Sequence, residues 1–328
     1  MAIQQMLLGI GGASTAQFGD RAIIAGGYSF PNPATGAYSR NIEYYSIATN
    51  SGNASDFGDM GVNNEYGGAT VSNGNTAVML GFSDTANAWT HTRYVTISTT
   101  GNASQWGTTI VDNMYGGAFV TNTDRAVWCG GQWYPGHPGG IPGCVDCAAL
   151  SMGAPDNMAI IPTDLSSPGK YSMGYVSGLT RGVMAGGNIG SPPYRKNEIQ
   201  YINIASPANA SDFGDLDANR DETTGIFSST RGLFCGGYGG SPEVWIQTTH
   251  YVDIDTTSNS TPFGSLVRKN KLMSGASNDS RGTLAGGNSE PQSGPEQIQY
   301  FSFPSPNNAS DFGDLAMGRV YGGGASGD

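Results

Sequence analysis

Cysteine and histidine are the scarcest reactive residues in this 328-residue chain, which holds four of one and three of the other. Cys144-Val145-Asp146-Cys147 is its one Cys-x-x-Cys, with His137 seven residues upstream and Cys129 before that. Zinc requires four ligands in tetrahedral geometry, and a redox pair requires a βα setting that this stretch lacks. Cys147 is expected at a repeated strand position otherwise filled by tyrosine. Cys129 and Cys235 stand where other copies of a repeated strand have Leu80 or Ala185, so they read as small core residues. His91, His137 and His250 fall at unrelated positions. No Ser-His-Asp set, carboxylate pair or His/Tyr copper set stands out around them. The expectation is no metal, no cofactor and no catalytic residue.

Two other patterns carry chemical letters. Asp56-Phe57-Gly58-Asp59 spells the kinase magnesium motif, but it recurs from Asp212 and from Asp311 without the rest of the kinase set. Calcium wants six to eight oxygens around one ion, and only Asp56 and Asp59 converge in a unit. Turn capping, or pairing with an arginine of an adjacent strand, is the expected role. Asn-x-Ser/Thr triplets start at Asn53, Asn102, Asn209, Asn259, Asn278 and Asn308. Five of them share one repeat position, which reads as a turn bonding its own backbone rather than as glycosylation acceptors.

These recurrences belong to one period of about 50 residues, the mark of a repeat architecture. Arg181-Gly182-Val183-Met184-Ala185-Gly186-Gly187 has relatives starting at Arg21, Arg125, Arg231 and Arg281, and a weaker copy from Thr76 to Phe82. Each unit resolves into four short strands. Strand A is a Gly-Gly-Ala stretch such as Gly116-Gly117-Ala118. Strand B is the Arg-Gly-x-x-Ala-Gly-Gly segment, expected to lie innermost. Strand C alternates, as in Ile199-Gln200-Tyr201-Ile202-Asn203-Ile204. Strand D follows the Asn-Ala-Ser turn and carries Phe57, Trp106, Phe213, Phe263 or Phe312. No stretch has a 3.6-residue period.

Four strands per unit, repeated radially, predict an all-β fold: a six-bladed β-propeller of four-stranded antiparallel blades, with a seven-bladed ring as runner-up. Residues 1–328 form a single domain on this reading. Gly11-Gly12-Ala13-Ser14 and Gly323-Gly324-Ala325-Ser326 are near-duplicates, so the terminal segments are expected to meet and close the ring. Tyr44, Tyr94, Tyr201, Tyr251 and Tyr300 are expected to be mostly buried, each hydroxyl with a partner.

A glycine pair, then a tyrosine, then an aromatic at this period resembles the kelch-type repeat. The combination of Arg-Gly-x-x-x-Gly-Gly, Ile-x-Tyr-x-x-Ile and Asn-Ala-Ser-Asp-Phe-Gly-Asp blocks is similar to kelch-like repeat proteins of tailed bacteriophages. The likeness covers essentially the whole chain. It implies a virion component of the tail, fibre or capsid surface, and brings no catalytic residues with it.

Composition narrows the partners. The net charge is −11 with 15 basic residues, against the cationic surface that nucleic acid or an anionic membrane requires. No apolar run is long enough to span a bilayer. The opening Met1-Ala2-Ile3-Gln4-Gln5-Met6-Leu7-Leu8 lacks the basic region of a signal peptide. The expectation is synthesis in a host cytoplasm and residence in the virion.

The units differ most between strands B and C. These segments hold Tyr28, Phe30, Trp89, Trp133, Tyr134, Tyr194 and Trp245, several beside prolines. Aromatics on stiffened loops give contact area at low ordering cost, so this face is the expected binding surface, led by the loop at residues 132–143. Its expected partners are other virion proteins or a host-surface glycan or protein. The alternatives are a carbohydrate-binding adhesin and, more weakly, an enzyme on a kelch-like fold.

Overall fold

A computed structural model describes residues 17–30, 39–61, 69–82, 91–109, 116–131, 146–165, 170–240, 242–290 and 296–328. Among them there is no helix, and the strands assemble into six antiparallel four-stranded sheets. Sheet 1 joins the C-terminal Gly323–Gly327 to Arg21–Ala25, Asn41–Ser46 and Ser55–Asp59, in the order A to D. Sheet 2 is Ala69–Ser72, Thr76–Phe82, His91–Thr96 and Ser104–Thr108. Sheet 3 is Ala118–Thr121, Arg125–Cys129, Asp146–Ser151 and Ala159–Asp164, and sheet 4 is Gly174–Ser177, Arg181–Ala185, Glu198–Asn203 and Ser211–Asp215. Sheet 5 is Thr224–Phe227, Arg231–Cys235, Thr248–Asp253 and Thr261–Ser265. Sheet 6 is Ser274–Ser277, Arg281–Ala285, Gln297–Ser302 and Ser310–Asp314.

Strand B is apolar on both sides because both sides are covered. Ile23 and Ala25 face the core shared with sheet 2, while Ala22 and Ile24 face the core shared with sheet 6. The same division recurs, so that each hydrophobic core lies between two neighbouring sheets, and the sixth sheet packs on the first. Strands buried on both faces read as near-continuous apolar runs rather than alternating ones. The strand-D aromatics fill the same cores, with Phe57, Phe213 and Phe312 all at most 2% exposed.

The strands at which sheets approach most closely are the A strands, not the B strands as the sequence suggested. A Cβ on Gly225 would sit 1.8 Å from the Tyr175 carbonyl oxygen, and one on Gly324 would sit 2.3 Å from that of Gly275. Only glycine fits where two backbones come this close. The glycine pair that ends strand B has a different cause. In sheets 1, 3, 4, 5 and 6 both residues are left-handed, with φ of 63° and 93° at Gly26 and Gly27, a conformation costly for other residues.

The C-terminal strand returns to the first sheet. Gly323–Gly327 pairs with Arg21–Ala25 along its length, from Arg21↔Gly327 to Ala25↔Gly323. Gly11 to Ser14 lie outside the described residues. Residues 17–20 cross several sheets at the A–B turns. Gln17 Nε2 donates to the Thr121 carbonyl of sheet 3 at 2.8 Å, and the Phe18 ring meets Phe227 of sheet 5 at 5.8 Å. Asn278 of sheet 6 donates to Asp20 Oδ1 at 2.8 Å, and the Asp20 N–H bonds Asp328 Oδ1 at 2.8 Å.

Three local expectations change. The five tyrosines are half-buried rather than buried. Each lies edge-on to its strand-D aromatic, and four lie under the strand-B arginine of their own sheet, as Arg181 does 4.5 Å from the Tyr201 ring centre. The position equivalent to that tyrosine in sheet 3 is Ala149, which pairs with Val127 as Tyr201 pairs with Val183. Cys147 sits two residues earlier, at the place of Ile42. Sheet 3 also has a strand D, Ala159–Asp164, in which Ile161 takes the place of the aromatic.

Candidate functional site

The repeated polar residues connect sheets. The strand-B arginine donates Nη1 to a strand-C-end carbonyl of the next sheet: Arg21 to Ile97 at 2.9 Å, Arg231 to Phe303 at 2.6 Å, and Arg281 to Ile47 at 3.1 Å. The turn asparagine accepts, through Oδ1, from an N–H at the end of the previous strand D. Asn102 does so from Asp59 at 2.9 Å, Asn259 from Asp215 at 2.9 Å, and Asn53 from Asp314 at 3.0 Å. The glycine of the Asp-Phe-Gly-Asp block makes room for this turn, since a Cβ on Gly313 would lie 2.4 Å from the Gly52 carbonyl oxygen. The recurring triplets thus hold neighbouring sheets together instead of capping their own turns. The strand-B arginines hold backbone carbonyls rather than the acids of the block.

The B–C segments behave differently, because they pair with the segments that lead from strand D to the next strand A. Tyr28–Phe30 pairs with Gly318–Val320, and Lys269–Lys271 with Asn288–Glu290. Arg220–Asp221, Tyr238–Gly239 and Val244–Trp245 form a third small sheet. Single bridges join Tyr171 to Asn188 and Asn188 to Arg195. These additions fasten the variable loops to the scaffold. Sequence reading missed them, although short alternating runs such as Lys269-Asn270-Lys271 were a usable signal.

At sheets 4 to 6 this end carries a cation–aromatic–carboxylate patch. Arg195 bonds Asp221 Oδ1 at 2.8 Å, pairs with Glu243, and lies 4.4 Å from the Tyr238 ring centre. Burial works against the Arg195 charge, but Asp221 and Glu243 outweigh it and its pKa is raised. Lys271 bonds Glu222 at 2.5 Å and reaches the rings of Tyr238 at 5.0 Å and Trp245 at 5.6 Å. Just below, Lys170 is 2% exposed and bonds Glu198 at 2.6 Å; burial lowers its pKa and Glu198 opposes that. All four lysines of the chain lie at this end.

Of the expected binding residues, Tyr194 is exposed, at 49%, next to Arg195. Trp245 and Tyr28 are half-buried, and Phe30 lies on the strand paired with Gly318. Trp89, Trp133 and Tyr134 lie outside the described residues. Among the described residues five large apolar side chains are exposed. Tyr194, Val244, Val267 and Met317 sit at the B–C end, and only Leu179 lies in an A–B turn.

Ser260 Oγ lies 3.5 Å from His250 Nδ1, and His250 Nε2 lies 3.2 Å from Asp217 Oδ2. A working nucleophile–base contact is about 2.6–3.2 Å. Burial and Arg220 hold the His250 pKa below its usual value despite Asp217, and the Ser260 N–H is spent on the Asp215 carbonyl. This line suits a contact between sheets better than acyl transfer. No group of three or more His, Cys, Asp or Glu that could hold a metal occurs among the described residues. Cys129 and Cys235 are both buried, and burial pushes the Cys235 thiol up to about 12. His137 and Cys144 lie outside the described residues.

No protein-family model matches the chain, and no curated protein matches it.

Proposed function

We propose that the six sheets are the blades of one closed six-bladed β-propeller, a single domain of residues 1–328. On this reading its B–C end is a contact surface for other proteins of a phage particle or for a molecule on the host surface. Residues 17–20 carry the radial arrangement. Four residues span at most about 14 Å even when fully extended, yet this stretch contacts sheets 1, 3, 5 and 6. Sheets surrounding a common centre allow that; a linear stack does not. The sixth core, shared by sheets 6 and 1, fits the same arrangement and favours six blades over seven.

The non-enzymatic binding role rests mainly on the division of labour between repeated and unrepeated residues. Repeated side chains are spent on joining sheets, while exposed apolar groups gather at the end where the units differ. The particle context comes from the likeness of the repeat blocks to phage kelch-like proteins. On the carbohydrate-binding alternative an aromatic face would stack on sugar, whereas Tyr238 already carries Arg195 and Lys271.

The test is a deletion of residues 132–143, followed by far-ultraviolet dichroism and incorporation into particles purified from a lysate. A folded variant that no longer incorporates agrees with the proposal. A folded variant that incorporates normally removes that loop from the contact surface. Saturable signals on a glycan array would favour the adhesin reading instead.

A further inference from the structure

Among the described residues, the one that enters a junction from the D–A segment recurs as Lys170, Arg220, Asn270 and Arg319. The strand-C residue at one repeated place below it is Gln200, His250, Gln299 or Glu43. At the sheet 6–sheet 1 junction the two match. Arg319 pairs with Glu43, and its Nη1 also donates to the Gly26 and Asn41 carbonyls at 3.0 Å each. Both side chains are almost wholly buried, at 0% and 2% exposure.

At the sheet 4–sheet 5 junction an arginine occupies the same place, but histidine replaces the carboxylate. Arg220 turns to Asp217, an acid that is 44% exposed, and His250 Nε2 lies 3.2 Å from the other oxygen of that same acid. Arg220 Nε and Nη1 are buried without a hydrogen-bond partner. On either side of His250 within its sheet are Phe234 and Pro262. The charged groups facing it are Asp217 and Arg220. Cys235, also close to Arg220, stays a neutral thiol because burial raises its pKa. One half-exposed anion therefore serves a buried guanidinium and an imidazole together.

We propose that the sheet 4–sheet 5 junction is an acid-sensitive latch, held while His250 is neutral and loosened when His250 takes a proton beside Arg220. This inference depends only on the packing of sheets 4 and 5, not on the function proposed above. Above the ordinary histidine pKa of about 6.5, neither the closed nor the opened junction binds the proton, and the histidine costs nothing. Burial depresses its pKa in the closed state, and Arg220 adds to that against the opposing charge of Asp217, with the balance downward. As pH falls through 6.5 the opened state protonates first, so closure is lost progressively down to the closed-state pKa.

Hydrogen exchange on the full chain at pH 7.5 and pH 5, corrected for intrinsic rates, tests the latch in wild type, His250→Gln and His250→Glu. Wild-type amides in the Asp217–Thr224 stretch should exchange faster at pH 5, by up to about tenfold for each unit by which closure depresses the histidine pKa. Amides at the Arg319–Glu43 junction should show no such change. His250→Gln should abolish the acid response, and His250→Glu should slow exchange at both pH values by restoring a carboxylate beside Arg220. An equal acid response in His250→Gln, or none in wild type, overturns the proposal. Should the variants not fold, an imidazole titration of wild-type His250 at or above 6.5 overturns it as well.

Discussion

Along the strand ends and C–D turns, sheet after sheet is joined by the same two side chains, an arginine on a carbonyl and an asparagine on an N–H. Where Thr76 replaces the arginine in sheet 2, Asn73 donates to the Met152 carbonyl of sheet 3 instead. Among the described residues of the B–C end, the side-chain partners differ from one junction to the next. Lys170 meets Glu198, Arg220 meets Asp217 and Arg319 meets Glu43, while Asn270 shares with Arg319 only a contact to the backbone, donating to the Gly286 carbonyl as Arg319 does to that of Gly26. The partners explain the contrast. Backbone carbonyls and N–H groups are present in every unit whatever its side chains, so a contact made to them can be copied unchanged. A contact between two side chains requires two matched changes and drifts from one junction to the next.

The largest effect is expected where such a drifting contact is fully buried. Arg319→Ala leaves Glu43 charged and unpaired in the interior, and should cost about 3–5 kcal/mol in chemical denaturation. Replacing both partners, Arg319→Met with Glu43→Leu, should recover most of that loss. If the double variant is as unstable as the single one, the junction depends on charge more than on packing.

A middle-sized effect is expected in the repeated part. Tyr201→Ala removes a half-buried ring that touches Phe213 and lies under Arg181. It should cost less than the 3–5 kcal/mol of a fully buried aromatic, about 1–3 kcal/mol. Asn259→Ala removes one sheet-to-sheet bond and should cost about 1 kcal/mol, with Asn53→Ala and Asn308→Ala alike. Three unequal values would show that the copies are not energetically equivalent.

These magnitudes also mark what the sequence could and could not convey. The four strands per unit were legible because double-sided burial writes apolar runs in every copy, and left-handed turns write glycine pairs in all of them but sheet 2. Strand A could not be singled out as the strand of closest approach, since its glycines answer to a carbonyl of the neighbouring sheet, which the sequence of one unit does not contain. In sheet 3 the signal failed locally: Ala149 and Ile161 stand where tyrosine and phenylalanine mark other units. The candidate site was legible as a set of segments, not as a geometry. Tyr194 and Trp245 were within reach, but Arg195 and Lys271 on Tyr238 depend on small sheets formed between distant parts of the chain.

The smallest stability effect is expected at the surface assigned to binding. Tyr194→Ala, at an exposed position, should change stability by no more than about 0.5 kcal/mol. It should nonetheless reduce incorporation into particles, read as the ratio of variant to wild type in mixed assembly.

Cross-linking mass spectrometry of the protein within purified particles tests the separation of scaffold from contact surface most directly. An amine-reactive linker reports on the B–C end through Lys196, Lys269 and Lys271, while a carboxyl-reactive linker reports on Asp56, Asp212 and Asp311 of the strand-D edges. Links to other proteins from the lysines, with none from those three aspartates, are the predicted result. Links to partners concentrated on the aspartates, with the lysines joined only within the chain, would contradict it.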